Sequence, residues 1–125
     1  MKRGDVYRVR LDPTEGREIR KTRPAVVVSN NIACRFDSVI QIVPITRLPE
    51  RELRPYESSI SSDSSGLSKP SRAVANQIRT VGRHRLDKRV GRLASDELRH
   101  LDRAVTIQLG LPTDRNADRA ELYDS

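Results

Sequence analysis

Cysteine, aromatic residues and long apolar runs are all scarce in this 125-residue chain. Cys34 is the one cysteine, so an internal disulfide is excluded and a reducing cytoplasm is indicated. No stretch of about 18 apolar residues is present, which excludes a membrane-spanning helix. The N-terminus becomes charged at Lys2 and Arg3 and lacks the apolar segment of a secretion signal. We therefore predict a cytoplasmic protein that has no membrane partner.

The scarcity of aromatic residues narrows the ways in which the chain can bind nucleic acid. Three tyrosines, one phenylalanine and no tryptophan are present, so a platform of several exposed rings for stacking bases is excluded. We expect Tyr7 and Phe36 in the core. Tyr56, on a predicted edge strand, is the one ring placed to stack on a base.

Several motifs of catalysis and metal binding are also missing. The chain has no glycine-rich phosphate loop, no CxxC pair and no HExxH sequence. His84 and His100 have no second histidine or acidic residue at metal-ligand spacing. We therefore predict no metal and no cofactor, and a ribonuclease mechanism based on two histidines is not supported.

Positive charge, and arginine above all, is abundant. The formal net charge is +7, and 20 of the 24 basic residues are arginines. The last 14 residues hold two arginines and four carboxylates, a net −2, so the first 111 residues carry 22 basic and 13 acidic residues, a net +9. Arginine binds phosphate well because its planar guanidinium donates two hydrogen bonds to one anion. Composition alone fits nucleic-acid binding and a merely solvated arginine-rich surface equally well.

Short β-type stretches and Gly/Pro turns predict one domain of mainly β structure with short helices (α+β). The strands are expected at residues 6–11, 25–28, 39–45, 56–62, 71–81 with a break near Asn76, and 90–94. One convincing helix is predicted from Ser95, which would cap it, to Leu109, with Gly110 ending it. Residues 1–111 form the predicted domain, and residues 112–125 a polar, disordered tail. This pattern alone fits an SH3-like barrel and an OB-fold equally well.

Four segments carry the most specific information. One is Arg23-Pro24-Ala25-Val26-Val27-Val28-Ser29-Asn30, and a second is the apolar run that ends in Pro44-Ile45-Thr46. The others are Arg3-Gly4-Asp5-Val6-Tyr7 near the start and Asn76-Gln77-Ile78-Arg79-Thr80-Val81. Together, from Lys2 to Leu111, the chain resembles the MazF/PemK family of toxin endoribonucleases.

The resemblance implies an SH3-like barrel of the CcdB/PemK type with a C-terminal helix. It also implies the toxin of a toxin–antitoxin system: a homodimer that cleaves single-stranded RNA, mRNA above all, without a metal. Attack by the 2′-hydroxyl would leave a 2′,3′-cyclic phosphate and a 5′-hydroxyl. The inhibiting partner would be an antitoxin with an acidic, disordered tail.

The family's catalytic positions fall on three residues of this chain. The arginine before the Pro-Ala-Val strand matches Arg23, and the threonine that closes the next strand matches Thr46. A loop glutamate five residues before the arginine matches Glu18. Arg23 would bind the charged transition state, Thr46 would donate to a non-bridging oxygen, and Glu18 would accept the 2′-hydroxyl proton.

A second set of residues is expected to bind RNA. Gln77 matches the family's base-contacting polar position, whereas the preceding position, often acidic in the family, is Asn76 here. Arg79 and Lys69 are expected to meet phosphates, and the loops at 12–22 and 47–70 to set sequence specificity. Two other functions stay open: a CcdB-like gyrase poison on the same fold, and a noncatalytic nucleic-acid-binding barrel.

Overall fold

The computed structural model describes residues 1–11 and 22–112. Glu18 and all but the first residue of the predicted tail lie outside these ranges. Seven strands and two helices are present in the described residues. They are β1 (Asp5–Arg10), β2 (Thr22–Val27), α1 (Asn31–Phe36), β3 (Val39–Arg47), β4 (Glu57–Ile60), β5 (Ser71–Val74), β6 (Arg79–Gly82), β7 (Leu86–Arg92) and α2 (Ser95–Leu109). The prediction of a mainly β protein with a C-terminal helix is confirmed.

All seven strands join one antiparallel sheet in the order β4-β5-β3-β2-β1-β7, with β6 added to β3. The long strand β3 is central, because its first half pairs with β6 and β2 and its last three residues pair with β5. Two 3₁₀ turns, Ala75–Gln77 and Arg83–Arg85, stand before and after β6. The first of these is the predicted break in the 71–81 segment.

Side chains that alternate along the central strands divide the core into two clusters. Val26 of β2 and Val43 of β3 belong to the cluster that packs against Leu101 of α2. Their neighbours Val27 and Ile42 belong to the second cluster, which reaches Cys34 of α1. The runs of β-branched residues in β2 and β3 are thus explained by burial on both faces.

Helix α2 spans the predicted residues, but its N-cap differs from the prediction. Ala94 is the N-cap and Ser95 is the first helical residue. The carboxylate of Glu97 performs the cap instead, because its Oε1 accepts the N–H of Ala94 at 3.1 Å. Its Oε2 accepts the N–H of Ser61 at 2.6 Å, which ties the helix to the loop after β4. Gly110 ends the helix in the left-handed conformation, at φ 66°.

Two further expectations need correction. Phe36 is 72% exposed and lies outside the core, because the single short turn of α1 buries only Cys34. Strand β7 begins at Leu86, four residues before the predicted strand, and pairs along β1. Among the described ranges, neither helix is long and apolar enough to cross a membrane.

Candidate active site

Arg23 and Thr46 occupy neighbouring places on adjacent strands. The ladder between β2 and β3 ends at the pair Ala25 and Pro44, and Arg23 and Thr46 each lie two residues beyond it on their strands. Pro24, which donates no hydrogen bond, precedes the buried part of β2, and Arg23 before it is half-buried near the strand entry. The structure therefore brings the predicted catalytic arginine and threonine together.

Both residues line an open groove of about 590 Å³, here called the basic groove. Four cationic side chains contribute to its lining, and no carboxylate does among the residues that the structure describes. The cations are Arg8, Arg23, Arg47 and Lys69. A concave surface lined by charges of one sign concentrates its field and attracts a ligand of opposite charge. The groove is thus suited to a polyanion.

The cations of the groove are available to such a ligand. Arg8 donates to the carbonyl of Thr22 at a long 3.5 Å. Within residues 1–11 and 22–112, the side chains of Arg23, Arg47 and Lys69 make no hydrogen bond or ion pair with another described residue. A guanidinium at a strand entry with its donors unused is able to bind the oxygens of a phosphate.

One wall of the groove is a rigid turn rather than a loose loop. Gly66 has φ +79°, and a Cβ at this position would lie 1.8 Å from the carbonyl oxygen of Val90. Across from it, a Cβ on Gly91 would lie 2.2 Å from the backbone of Ser65. The buried Ser65 hydroxyl donates to the carbonyl of Ser61 at 2.6 Å. Two glycines thus allow the turn to press onto β7, which fixes the wall that continues into Lys69.

The predicted base-contacting residues lie outside this lining. Asn76 and Gln77 are exposed on the 3₁₀ turn after β5, and neither makes a hydrogen bond through its side chain to another described residue. Arg79, also exposed, lies opposite Ile42 in the β3–β6 ladder. Ile42 precedes Thr46 by four residues, a distance of about 13 Å along an extended strand. Arg79 therefore lies well separated from Thr46, on the other half of β3.

A buried ion cluster beside the groove was not predicted from the sequence. The side chain of Glu57 is only 3% exposed, and Arg51 binds its two oxygens at 2.9 and 3.1 Å. The backbone N–H of Arg54 donates to it at 2.8 Å, and Nε of Arg72 lies 3.3 Å away. The hydrogen bonds from Arg51 lower the pKa of Glu57 to about 2, against the opposing effect of burial. Glu57 is therefore ionised at any physiological pH.

Arg72 joins this cluster to Thr46 of the predicted catalytic pair. Thr46 of β3 lies opposite Arg72 of β5, and Arg72 in turn lies opposite Ser59 of β4. Nε and Nη1 of Arg72 are buried without a hydrogen-bond partner in the described part of the chain. No sequence signal marks this row of Thr46, Arg72 and Ser59, because the row depends on the pairing of strands that are far apart along the chain.

Two other site expectations have a plain outcome. Glu18 lies outside the described residues. Within those residues, no group of three or more His, Cys, Asp or Glu side chains lies close enough to hold a metal ion.

Cys34 is buried and donates to the carbonyl of Ser29 at 3.4 Å, and burial raises the pKa of its thiol.

Comparisons with known proteins agree with this geometry. The family model described as PemK-like, MazF-like toxin of type II toxin-antitoxin system matches residues 2–109. Endoribonuclease MazF9 of Mycobacterium tuberculosis is 38% identical over 116 residues, which cover 89% of this chain and 98% of that protein. Endoribonuclease MazF of Staphylococcus saprophyticus is 30% identical, over 93% of this chain and 97% of that protein.

Solved structures share the fold. A mycobacterial endoribonuclease in complex with its cognate antitoxin superposes with a TM-score of 0.72 at 25% identity, over 90% of this chain and 98% of that one. MazF from Deinococcus radiodurans superposes with a TM-score of 0.72 at 20% identity, over 89% of this chain and 97% of that one. These matches confirm the predicted fold class.

Proposed function

Because this chain belongs to the family of PemK-like, MazF-like toxins of type II toxin–antitoxin systems, we propose that it is a toxin endoribonuclease that cuts single-stranded RNA. The observation that carries the proposal is the basic groove. Arg23 and Thr46 both line it, together with three further cations and with no carboxylate in the described lining. A gyrase poison or a passive RNA-binding barrel has no need of an unpaired arginine beside a hydroxyl in such a groove.

The proposed reaction uses the substrate's own nucleophile. The 2′-hydroxyl oxygen attacks the adjacent phosphorus, a 2′-O–P bond forms, and the P–O5′ bond breaks. The proton leaves the 2′-hydroxyl, and another reaches the departing 5′-oxygen. The products are a 2′,3′-cyclic phosphate and a 5′-hydroxyl. Because the nucleophile is tethered, orienting it in line contributes an effective molarity on the order of 10⁵–10⁸ M, and a metal is not required.

Each predicted residue has a role in this scheme. Arg23 binds the negative charge that develops on the phosphorane, and it does so as a permanent cation, since guanidinium does not give up its proton at working pH. Thr46 donates to a non-bridging oxygen. Glu18 takes the proton of the 2′-hydroxyl.

Specificity and affinity are assigned to separate residues. Gln77 and Asn76 contact base edges of an unpaired strand. Arg79 and Lys69 bind phosphates, a role supported by their exposure and by side chains that make no hydrogen bond or ion pair in the described ranges. We place all of these functions in residues 1–111 and expect a chain that ends at Leu111 to retain cleavage.

The partners follow from charge and from family membership. We propose that the chain acts as a homodimer in the cytoplasm, with mRNA as its main target. Its antitoxin would place an acidic, disordered segment along the basic groove, folding on binding. The net +9 of residues 1–111 supports such a partner, and a mycobacterial endoribonuclease of the same fold has been solved with its cognate antitoxin.

One experiment separates the three functions that the sequence left open. Pure protein is incubated with a long single-stranded RNA in EDTA, and the products are resolved by size. Discrete fragments with 5′-hydroxyl ends are expected. Intact RNA that migrates more slowly because protein is bound would indicate a binding module. Intact RNA with unchanged migration, together with inhibition of gyrase, would indicate the gyrase poison.

A further inference from the structure

A second cavity lies at the edge of the sheet, away from the basic groove. It measures about 230 Å³ and is here called the outer cavity. Edge strand β4 contributes Glu57, Ser58 and Ser59 to its lining, and α2 contributes His100 and Arg103, one helical turn apart. Nothing in the proposed chemistry uses these residues.

The polar groups of the outer cavity are mostly hydrogen-bond donors. Arg103 and His100 supply N–H groups, and two serines supply hydroxyls. The hydroxyl of Ser58 is buried and has no hydrogen-bond partner in the described ranges, which is unusual for a buried polar atom. A set of unused donors favours a ligand rich in acceptor oxygens.

The charge of the region favours an anion, although one carboxylate lines the cavity. Both Arg51 and Arg72 approach Glu57, so these three side chains together carry a net +1. Arg103, exposed on α2, adds a second positive charge. The carboxylate of Glu57 is already occupied by the bidentate bonds from Arg51, so it does not offer a strong acceptor to a cationic ligand.

The sheet connects the outer cavity to the catalytic pair. Thr46 lies opposite Arg72, and Arg72 lies opposite Ser59, so all three side chains project from the same face. Ser59 lines the outer cavity and stands two strand spacings, about 10 Å, from Thr46. The guanidinium of Arg72, with its side chain 18% exposed, lies between them. Ser58, the neighbour of Ser59, projects from the opposite face of β4, so a polyanion that leaves Thr46 reaches Ser58 by passing around this edge strand.

We propose that the outer cavity binds one phosphodiester group of the RNA, at a nucleotide that flanks the cleavage motif. The RNA strand then runs from the basic groove past Ser59 and around the edge strand β4, beyond which Arg103, His100 and Ser58 hold the phosphate. This inference rests on the proposed endoribonuclease function and extends it, because the site adds affinity without reading a base.

The test compares two RNAs that contain the same cleavage motif. The short one extends one nucleotide beyond the motif on each side, and the long one extends six. Each carries a 2′-deoxy group at the scissile position so that binding is measured without cleavage. Arg103→Ala should raise the Kd of the long RNA about fivefold and leave the Kd of the short RNA unchanged, as expected for one exposed phosphate contact. The slope of log affinity against log salt concentration for the long RNA should become shallower by about 0.7.

Two more variants make the test specific. Arg99→Ala removes an equally exposed arginine of the same helix that does not line the cavity, and it should weaken neither RNA. Ser58→Ala removes the unpartnered hydroxyl with little change of volume, and it should weaken the long RNA alone. The all-ribose short RNA should be cut by wild type and by Arg103→Ala at the same rate. A short RNA that wild type does not cut would contradict the proposed function rather than this site.

Several outcomes would overturn the proposal. If Arg103→Ala weakened the binding of both RNAs equally, or if Arg99→Ala lost as much affinity, the effect would be general electrostatic attraction. Unchanged affinity for both RNAs would show that RNA does not reach the cavity. If RNA affinity is unchanged while a polyglutamate peptide binds more weakly to Arg103→Ala, the cavity accepts an acidic protein segment instead.

Discussion

Thr46 of β3 lies directly opposite Arg72 of β5, a residue that the buried carboxylate of Glu57 approaches to 3.3 Å. One side of the proposed catalytic threonine is therefore exposed groove, and the other is a compact cluster of ions. The groove side has unused donors for an RNA phosphate. The cluster side fixes the strands that carry the threonine, so that binding does not have to order them.

Removal of either member of the catalytic pair should stop cleavage without unfolding the protein. Arg23→Ala and Thr46→Ala each remove a donor to the transition state, which typically lowers the rate by roughly 10²–10³. Both residues are only half-buried at strand ends, so the thermal midpoint should change little. Rates on one RNA and melting curves check this, with Arg99→Ala as the matched arginine control. An Arg23→Ala variant that cuts at nearly the wild-type rate would refute the site assignment.

The internal nucleophile makes a prediction about substrate and metal. Cleavage should persist in EDTA, fail on DNA of the same sequence, and stop when one 2′-deoxy nucleotide is placed 5′ of the scissile phosphate. A deoxy substitution one position further along the strand serves as the control and should not affect cleavage at the scissile phosphate. Dependence on Mg²⁺, or cleavage of the substituted bond, would mean that an outside nucleophile is used.

Gln77 and Lys69 should affect RNA recognition in different ways. Gln77→Ala should relax the cleavage motif at one nucleotide, at a cost of about 1–3 kcal/mol by analogy with base readout in DNA complexes. Lys69→Ala should weaken the binding of all single-stranded RNAs alike. The slope of log affinity against log salt concentration should become shallower by about 0.7, as one lost phosphate contact does. Fragment sequencing measures the first effect and a salt titration of affinity the second. If Gln77→Ala keeps its motif and loses affinity uniformly, specificity must come from the loops.

Glu57 should make the stability of the protein depend on acid pH. Its pKa is about 2 in the folded chain against an ordinary 4.5, so its contribution is complete above pH 4.5 and is lost as the pH falls towards 2. Glu57→Gln should lower the free energy of unfolding by about 3 kcal/mol at pH 7, because it leaves Arg72 buried without its counterion. The difference from wild type should shrink as the pH approaches 2.

Urea titrations at several pH values measure this effect. Asp87→Asn is the matched control, because Asp87 pairs with Arg10 at the surface, where both side chains are about half-exposed. Exposed pairs contribute about 0–1 kcal/mol, so this variant should behave nearly as wild type. A Glu57→Gln variant that is as stable as Asp87→Asn at pH 7 would show that the ion cluster does not support the fold.

The sequence predicts the central strands and α2 well, because their burial leaves a periodic pattern. Val26, Val27 and Ile42 belong to runs that are buried on both faces, and Leu98 and Leu101 repeat on one face of the helix. The placement of Arg23 and Thr46 in one groove agrees with the motifs near the ends of those strands. Strand β7 was only partly predicted because it ends the sheet at the opposite side from β4 and its first residues are largely polar.

Other features depend on information that the sequence does not display. The contacts of Glu57 with Arg72 join two strands whose register is set only in the folded sheet. Phe36 was expected in the core from its hydrophobicity, yet α1 is too short to turn it inward. Glu97 rather than Ser95 caps α2, since a carboxylate at the third position reaches back to the cap N–H.

The basic groove takes its lining from Arg8, near the start of the chain, to Val90, near the end of the sheet. Strand β1, which carries Arg8, also pairs with β7 over most of its length. A chain that is still being synthesised lacks β7, and contacts between such distant segments form late in folding. The growing polypeptide thus has no complete groove until Val90 has left the ribosome. For a protein proposed to cut mRNA, a chain still on the ribosome therefore has no complete groove with which to bind the message being translated.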